Sequence, residues 1–188
     1  FLFFQRETVD DEGWLHSGDK GCVDARGMFR VTGRYKELLI GAGGENIAPV
    51  PIEDNIKKLC PAISNVMMVG DKKPFNCMLV TLKTKGATGE VNAGEDLDVE
   101  ALALTKDSAT PATTVTAAMS NETVIKAITD AIKGTNNDES VCPMNASNVQ
   151  KFTILPEDFS VSTDELTPTF KLKRSVVYSK YAAAIDAI

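Results

Sequence analysis

Residues able to do chemistry cluster in three short stretches of this chain. In Gly13-Trp14-Leu15-His16-Ser17-Gly18-Asp19 a glycine-flanked turn presents one carboxylate. An acceptor-only Asp suits a pair of vicinal hydroxyls such as those of a ribose, although the same residues also fit an ordinary Asx turn. In Gly33-Arg34-Tyr35-Lys36-Glu37-Leu38-Leu39-Ile40, followed by Gly43-Gly44-Glu45-Asn46, two cations stand beside a strand and a loop whose glycines admit close backbone approach to a ligand. The G-K-[ST] of a phosphate-binding P-loop is absent, and a solvated edge with a plain turn fits equally. In Glu165-Leu166-Thr167-Pro168-Thr169-Phe170-Lys171-Leu172-Lys173-Arg174 a basic cluster sits in an exposed turn ahead of the last helix. Lysine is a compact, mobile charge able to reach phosphate and carboxylate oxygens when a loop brings it into a closed site.

The elements that must position these stretches follow from periodicity. Gly21-Cys22-Val23 and Met28 to Thr32, joined by a turn at Asp24-Ala25-Arg26-Gly27, predict a hairpin with Phe29 and Val31 on one face. After Leu38-Leu39-Ile40 the cluster Gly41 to Gly44 breaks the strand, and Pro51 opens a helix with Ile52, Ile56 and Leu59 on one face. Asn65 to Val69 and Cys77 to Leu82, around the turn-rich Gly70-Asp71-Lys72-Lys73-Pro74, predict two antiparallel strands. Residues 84–120 show little periodicity beyond Val99 to Leu104 and are expected to be a mobile insertion. A helix is expected from Asn121 to Lys133, capped by Ser120 or Asn121, burying Val124, Ile125, Ile128 and Ile132 and closed by Gly134. A strand at Val149 to Leu155 follows, then a terminal helix with Val177, Tyr181, Ala184 and Ile188 on one face. Helices and short strands mix without regular alternation, so the fold class is α+β.

Composition removes whole classes of function. The 188 residues carry 20 Lys and Arg against 26 Asp and Glu, and the net charge of −6 opposes a broad hold on nucleic acid or anionic membrane. No apolar run approaches the ~18 residues of a membrane span. The opening Phe1-Leu2-Phe3-Phe4 lacks the cationic start and long apolar stretch of a signal peptide. With no initiator methionine and a start in mid-pattern, the chain reads as a piece of something longer. Cys22, Cys60, Cys77 and Cys142 are scattered and His16 is the only histidine, which disfavours zinc and nucleophilic triads and predicts four reduced thiols.

In order and spacing, G-W-L-H-S-G-D, G-R-Y-K-E-L-L-I, G-G-E-N-I-A-P-V-P-I-E and L-T-P-T-F-K-L-K-R closely resemble the adenylate-forming enzymes, particularly long-chain fatty-acyl-CoA synthetases of the bubblegum type. The resemblance covers nearly the whole chain, most strongly residues 11–83 and 149–181. It implies that residues 1–34 are the tail of a large N-terminal adenylation domain, a short β-hairpin remnant. Residues 35–188 would be the C-terminal mobile domain, a small mixed sheet flanked by helices with an insertion around 84–120. The missing N-terminal domain would be the principal partner, and the fragment alone would be inactive. The implied reaction joins a long-chain fatty acid to coenzyme A: fatty acid and ATP with Mg2+ give an acyl-adenylate and diphosphate, and coenzyme A then displaces AMP.

By motif match, Asp19 and Arg34 would bind the nucleotide at ribose and phosphate, Lys36 would stand at the hinge, and Gly43, Gly44 and Glu45 would form the loop at the coenzyme A channel. Lys171 would be the catalytic lysine of adenylation, and no residue is assigned to a metal. Much of the superfamily has glycine before that lysine where this chain has Phe170, and aligning Lys171-Leu172-Lys173-Arg174 on the family's Lys-Ile-x-Arg pattern selects Lys171 over Lys173. Two alternatives stand beside this reading: another adenylate former, such as a luciferase-like or aryl-acid ligase, and a stand-alone interaction module without chemistry. The implied compartment is the cytoplasm, with peripheral contact at the endoplasmic reticulum membrane.

Overall fold

A computed structural model describes residues 9–188 apart from 72, 92, 93, 107 and 109; Phe1-Leu2-Phe3-Phe4 and Lys72, invoked above, lie outside the described residues. Strands β1 (Asp19–Val23) and β2 (Phe29–Arg34) form the expected hairpin. Its turn is fixed by the Asp24 carboxylate, which accepts the N–H groups of Arg26 at 2.8 Å and Met28 at 3.0 Å. The register sets Asp19 directly opposite Arg34. Phe29 and Val31 are open to solvent on this chain, 88% and 69% exposed.

A single 3-10 turn at Tyr35–Glu37 leads into β3 (Leu39–Ile40), which pairs antiparallel with β4 (Asn46–Ile47) across the glycine loop. Helix α1 (Pro49–Leu59) begins two residues before Pro51, because prolines are accommodated throughout a first turn whose N–H groups have no helical partner. It buries Ile52 and Ile56, each contributing about 2 kcal/mol of apolar transfer, whereas Leu59 stays half exposed.

The core sheet is β5 (Ile63–Val69), β6 (Asn76–Leu82) and β7 (Val149–Ile154) in the order β5-β6-β7. β5 and β6 are antiparallel, with Val66 opposite Val80, and β6 and β7 are parallel, with Met78 opposite Phe152. All seven residues of β6 are buried, as expected of a central strand covered on both faces. The pleat divides the core in two. Val66, Met68, Met78 and Val80 face a cluster with Ile52, Ile56, Val124 and Ile128, while Met67, Val69, Cys77 and Leu79 face Phe159, Leu166, Val177 and Ile185.

Within residues 84–120, expected to be a mobile insertion with an apolar patch at Val99 to Leu104, the chain forms α2 (Val99–Thr105) over that patch and α3 (Val115–Met119). Side-chain caps start both: Asp98 accepts from Glu100 and Ala101 N–H, and Thr114 accepts from Ala117 N–H. Leu97, Ala101, Ala112, Val115 and Ala118 are buried in the first cluster. Helix α4 (Glu122–Asn136) is capped by Asn121 as expected but runs through Gly134 instead of stopping there. A Cβ at Gly134 would stand 3.1 Å from Leu59 Cδ1, so this glycine permits close helix approach rather than ending the helix. Ile125, expected inside, is exposed, and Ala131 and Thr135 take that share of the buried face. The terminal helix is split into α5 (Arg174–Lys180) and α6 (Ala182–Asp186). Between them Tyr181 leaves helical geometry, donates its hydroxyl to Glu165 at 3.2 Å and packs against Phe159 with ring centroids 6.0 Å apart.

Candidate functional site

Asp19 opens β1 and Arg34 closes β2, so the hairpin register alone brings them together, with Arg34 Nε 3.3 Å from Asp19 Oδ1. Gly18 at φ 78° bends the chain into the strand, and its carbonyl accepts the Tyr35 N–H at 2.7 Å. The Asp19 side chain is 32% exposed and that of Arg34 55%. A pair so open to solvent contributes well under ~1 kcal/mol to folding, which leaves both groups available to a ligand.

Lys171 lies at the tip of a tight loop between Leu166 and Leu172, which form an isolated antiparallel bridge. The Thr167 N–H donates to the Lys171 carbonyl at 2.8 Å, and the Lys171 N–H donates to Thr167 Oγ1 at 3.0 Å. The lysine backbone is therefore held on both sides by one threonine. Among the described residues no ion pair engages the Lys171 ammonium, whereas Lys173 is paired with Asp164. That contrast bears on the Lys171-or-Lys173 choice: only Lys171 offers an uncommitted charge.

An open cleft of about 790 Å³ runs between the hairpin, α1 and this loop, and Asp19, Arg34, Glu53, Phe170, Lys171 and Arg174 are among its lining. Its floor is an ion pair that the motif analysis did not single out. Arg174 donates through both terminal nitrogens to the two oxygens of Glu53, each at 2.7 Å, and Glu53 Oε1 also accepts the Met68 N–H at 2.7 Å. Burial opposes the charge on Arg174, but the hydrogen bonds and charge of Glu53 prevail and raise its pKa above the ordinary guanidinium value. The pair ties α5, which begins at Arg174, to α1 and β5. A signal was available: Glu53 lies among Ile52 and Ile56 on the buried side of α1, and a carboxylate buried there requires a cation.

The remaining candidates lie apart. Lys36 is exposed in the 3-10 turn next to Arg34 and does not line the cleft. Gly43 and Glu45 line a separate, smaller recess of about 180 Å³ with Lys73, Phe75 and Asn76. Gly44 turns the loop at φ 87°, and the Glu45 carboxylate leans over the Gly41 and Gly43 backbone, 2.7 Å from where a Cβ on Gly41 would stand. A further groove of about 710 Å³ along β7 and α4 shares none of the candidate residues. His16 pairs with Asp10 at 2.8 Å, and this contact with the Trp14 N–H holds the Asp10 carboxyl below its ordinary range. Among the described residues no group of three or more His, Cys, Asp or Glu side chains could hold a metal ion, and no helix is long and apolar enough to cross a membrane.

Residues 36–105 match the AMP-binding enzyme C-terminal domain. The chain is 46% identical over 183 residues to the long-chain-fatty-acid–CoA ligase ACSBG2 of Gallus gallus, covering 96% of this chain and 24% of that protein. It is 43% identical over 183 residues to ACSBG1 of Homo sapiens, covering 96% of this chain and 25% of the relative. The chain thus spans about a quarter of the length of the relatives it matches. Among solved structures, the adenylation domain of a carboxylate reductase from Mycobacterium chelonae superposes with a TM-score of 0.71 at 16% identity, over 99% of this chain and 24% of that one. The corresponding domain from Segniliparus rugosus, in complex with AMP and a co-purified carboxylic acid, gives 0.70 at 19% identity, over 98% of this chain and 24% of that one. At those identities the structural likeness shows the fold alone, an α+β chain that superposes on part of these adenylation domains.

Proposed function

We propose that this chain is the C-terminal part of an ATP-dependent long-chain fatty acid–CoA ligase, a reading supported by the match of residues 36–105 to the AMP-binding enzyme C-terminal domain and by the 46% and 43% identity to two long-chain-fatty-acid–CoA ligases. The observation that carries this reading is the single cleft lined by Asp19, Arg34 and Lys171, residues drawn from widely separated motifs. On this reading residues 1–34 complete an N-terminal adenylation domain, and residues 35–188 form a domain that moves over it, with Lys36 at the hinge. The compartment is the cytoplasm.

The chemistry follows from the side chains. The Asp19 carboxylate only accepts hydrogen bonds, so it holds the two ribose hydroxyls of ATP. Arg34, with its Nε 3.3 Å from Asp19 Oδ1, holds that carboxylate in place beside the nucleotide, and its planar fork serves the adjoining phosphate oxygens. As the fatty-acid carboxylate attacks the α-phosphorus and diphosphate departs, negative charge accumulates on the phosphoryl oxygens. The Lys171 ammonium, committed to no other ion pair among the described residues, stabilises that charge in the transition state. The loop of Gly43, Gly44 and Glu45, away from this cleft, serves the second half-reaction, in which the thiol of coenzyme A displaces AMP.

The test is acid-dependent exchange of labelled diphosphate into ATP by the full-length protein. Exchange with palmitate and not with benzoate supports the proposal, and a raised KM for ATP in Asp19→Ala supports the ribose assignment. Exchange with aryl acids alone would point to another adenylate former. No exchange with any carboxylic acid, and no binding of ATP or AMP by calorimetry, would leave an interaction module.

A further inference from the structure

Phe170 is one of two described non-glycine residues with left-handed backbone, at φ 59°; the other is Asp164 at 71°. Asp tolerates this region through local hydrogen bonding, whereas a bulky aromatic does not, so a compensating contact is required. The ring is half exposed, and core burial does not supply it. Gly89 does. A Cβ placed on Gly89 would stand 2.9 Å from Phe170 Cδ1 and 3.1 Å from Cε1, so the ring rests on bare glycine backbone. Gly89 is itself left-handed, at φ 81°. Its segment is fastened from the other side: the Gly89 carbonyl accepts the Val161 N–H and the Glu90 carbonyl accepts the Ser162 N–H, both at 2.9 Å.

The backbone reversal at Phe170 is what returns Lys171 to Thr167. The Phe170 N–H donates to the Thr167 carbonyl at 2.8 Å, and the next residue makes the paired contacts with Thr167 already described. An outlier held in place by its surroundings beside a reacting group points to positioning. We infer that the seating of the Phe170 ring on Gly89 is a positioning device for Lys171, replacing free rotation of the tip by a fixed turn. This rests on the proposed adenylation role of Lys171. It also gives Gly89 and Glu90, which carry none of the chemical motifs, a part in the site: Gly89 seats the ring, and the hydrogen bonds of both to Val161 and Ser162 fix that seat.

Phe170→Gly, Gly89→Ala, Phe170→Tyr and Lys171→Ala separate the possibilities. In the full-length enzyme, Phe170→Gly and Gly89→Ala are expected to lower kcat of palmitate-dependent diphosphate exchange by about ten- to a hundredfold, the penalty of misplacing a catalytic group by an ångström or less. KM for ATP and the conversion of pre-made acyl-adenylate to acyl-CoA should stay unchanged, and Phe170→Tyr, which keeps the ring, should retain activity. In the 188-residue chain, hydrogen exchange at the Lys171 amide should quicken in Phe170→Gly with the unfolding temperature preserved. Wild-type or faster exchange activity in Phe170→Gly overturns the inference, because a glycine relieving the left-handed backbone would then suffice; equal loss of both half-reactions also overturns it. Should Gly89→Ala fail to fold, Phe170→Gly decides alone. Full activity in Lys171→Ala would instead defeat the role of the lysine itself, whereas an inactive Lys171→Ala beside an active Phe170→Gly defeats only the positioning device.

Discussion

Glu53→Ala is expected to destabilise the chain by about 3–4 kcal/mol, although it removes only one surface-distant carboxylate. The magnitude follows from what is stranded. Both Glu53 oxygens accept the Arg174 guanidinium at 2.7 Å, and one of them also takes the Met68 N–H at 2.7 Å. Removing the carboxylate leaves a cation whose side chain is only 21% exposed, costing about 3 kcal/mol because one face still reaches solvent. The orphaned N–H of β5 adds about 1 kcal/mol. For a chain of this size each kcal/mol lowers the unfolding temperature by roughly 2–4 °C, so a fall of about 6–16 °C is expected. Thermal and urea unfolding followed by circular dichroism read it directly. Asp54→Ala, which removes an exposed pairing with Lys57 at 3.3 Å, is the control and should change stability by less than ~1 kcal/mol. Joining Glu53→Ala with Arg174→Met should recover most of the loss, since no buried charge is then left alone. A single-variant loss below ~1 kcal/mol, or a double variant as unstable as Glu53→Ala, would refute the reasoning.

Burial pushes the Glu165 carboxyl up, but hydrogen bonds from Lys180, Thr163 and the Ser160 N–H prevail and hold it below its ordinary value of 4.5. A carboxyl depressed in the folded state stabilises at pH above the unfolded value and loses that contribution as pH falls through the folded one. Stability should therefore drop below about pH 4.5, and Glu165→Gln should flatten that limb of the urea-midpoint profile. Cys22 is exposed, while Cys60, Cys77 and Cys142 are buried with thiols raised by that burial. A disulfide reagent should titrate one thiol quickly and three only on unfolding; two or more fast thiols would contradict the packing. On the proposed function, the 188-residue chain alone with MgATP and palmitate should release no diphosphate, because catalysis of this kind is mostly positioning and the partner surface lies elsewhere; measurable release would refute that.

The hairpin and sheet were readable because alternation and turn residues speak locally: Asp24 to Gly27 marks the turn, and the apolar runs of β5 and β6 flank Gly70 to Pro74. The apolar face of α1 was readable for the same reason at helical spacing. Helices α2 and α3 were not, since five to seven residues are too few to establish a period and their starts depend on Asp98 and Thr114 caps within a polar stretch. Gly134 misled because a glycine near a helix end usually stops it, and only the neighbouring Leu59 reveals the packing role. At the site, Asp19, Arg34 and Lys171 were named from their motifs, but their common cleft depends on loop and hairpin placement far apart in sequence. The seat of Phe170 on Gly89 was invisible for that reason, being a tertiary contact between segments with no local pattern in common, whereas Glu53 on the apolar face of α1 announced that it needs a cation without saying that Arg174, 121 residues away, supplies it.

The central claim, that Lys171 stabilises the charge of adenylation in a ligase working through two half-reactions, is tested most directly by measuring the halves separately in full-length Lys171→Ala and Lys173→Ala. Lys173 is the suitable comparison, since its ammonium is engaged by Asp164 while that of Lys171 is not paired among the described residues. Lys171→Ala should slow palmitate-dependent adenylate formation by about two to three powers of ten, the loss of one preorganised donor worth roughly 3–4 kcal/mol. Conversion of pre-made acyl-adenylate to acyl-CoA should be little changed, and Lys173→Ala should leave adenylation within a few fold of the unsubstituted protein. Abolition of adenylation by Lys173→Ala with Lys171→Ala intact would contradict the assignment of the lysine, and an equal fall of both half-reactions in Lys171→Ala would contradict a role confined to the first.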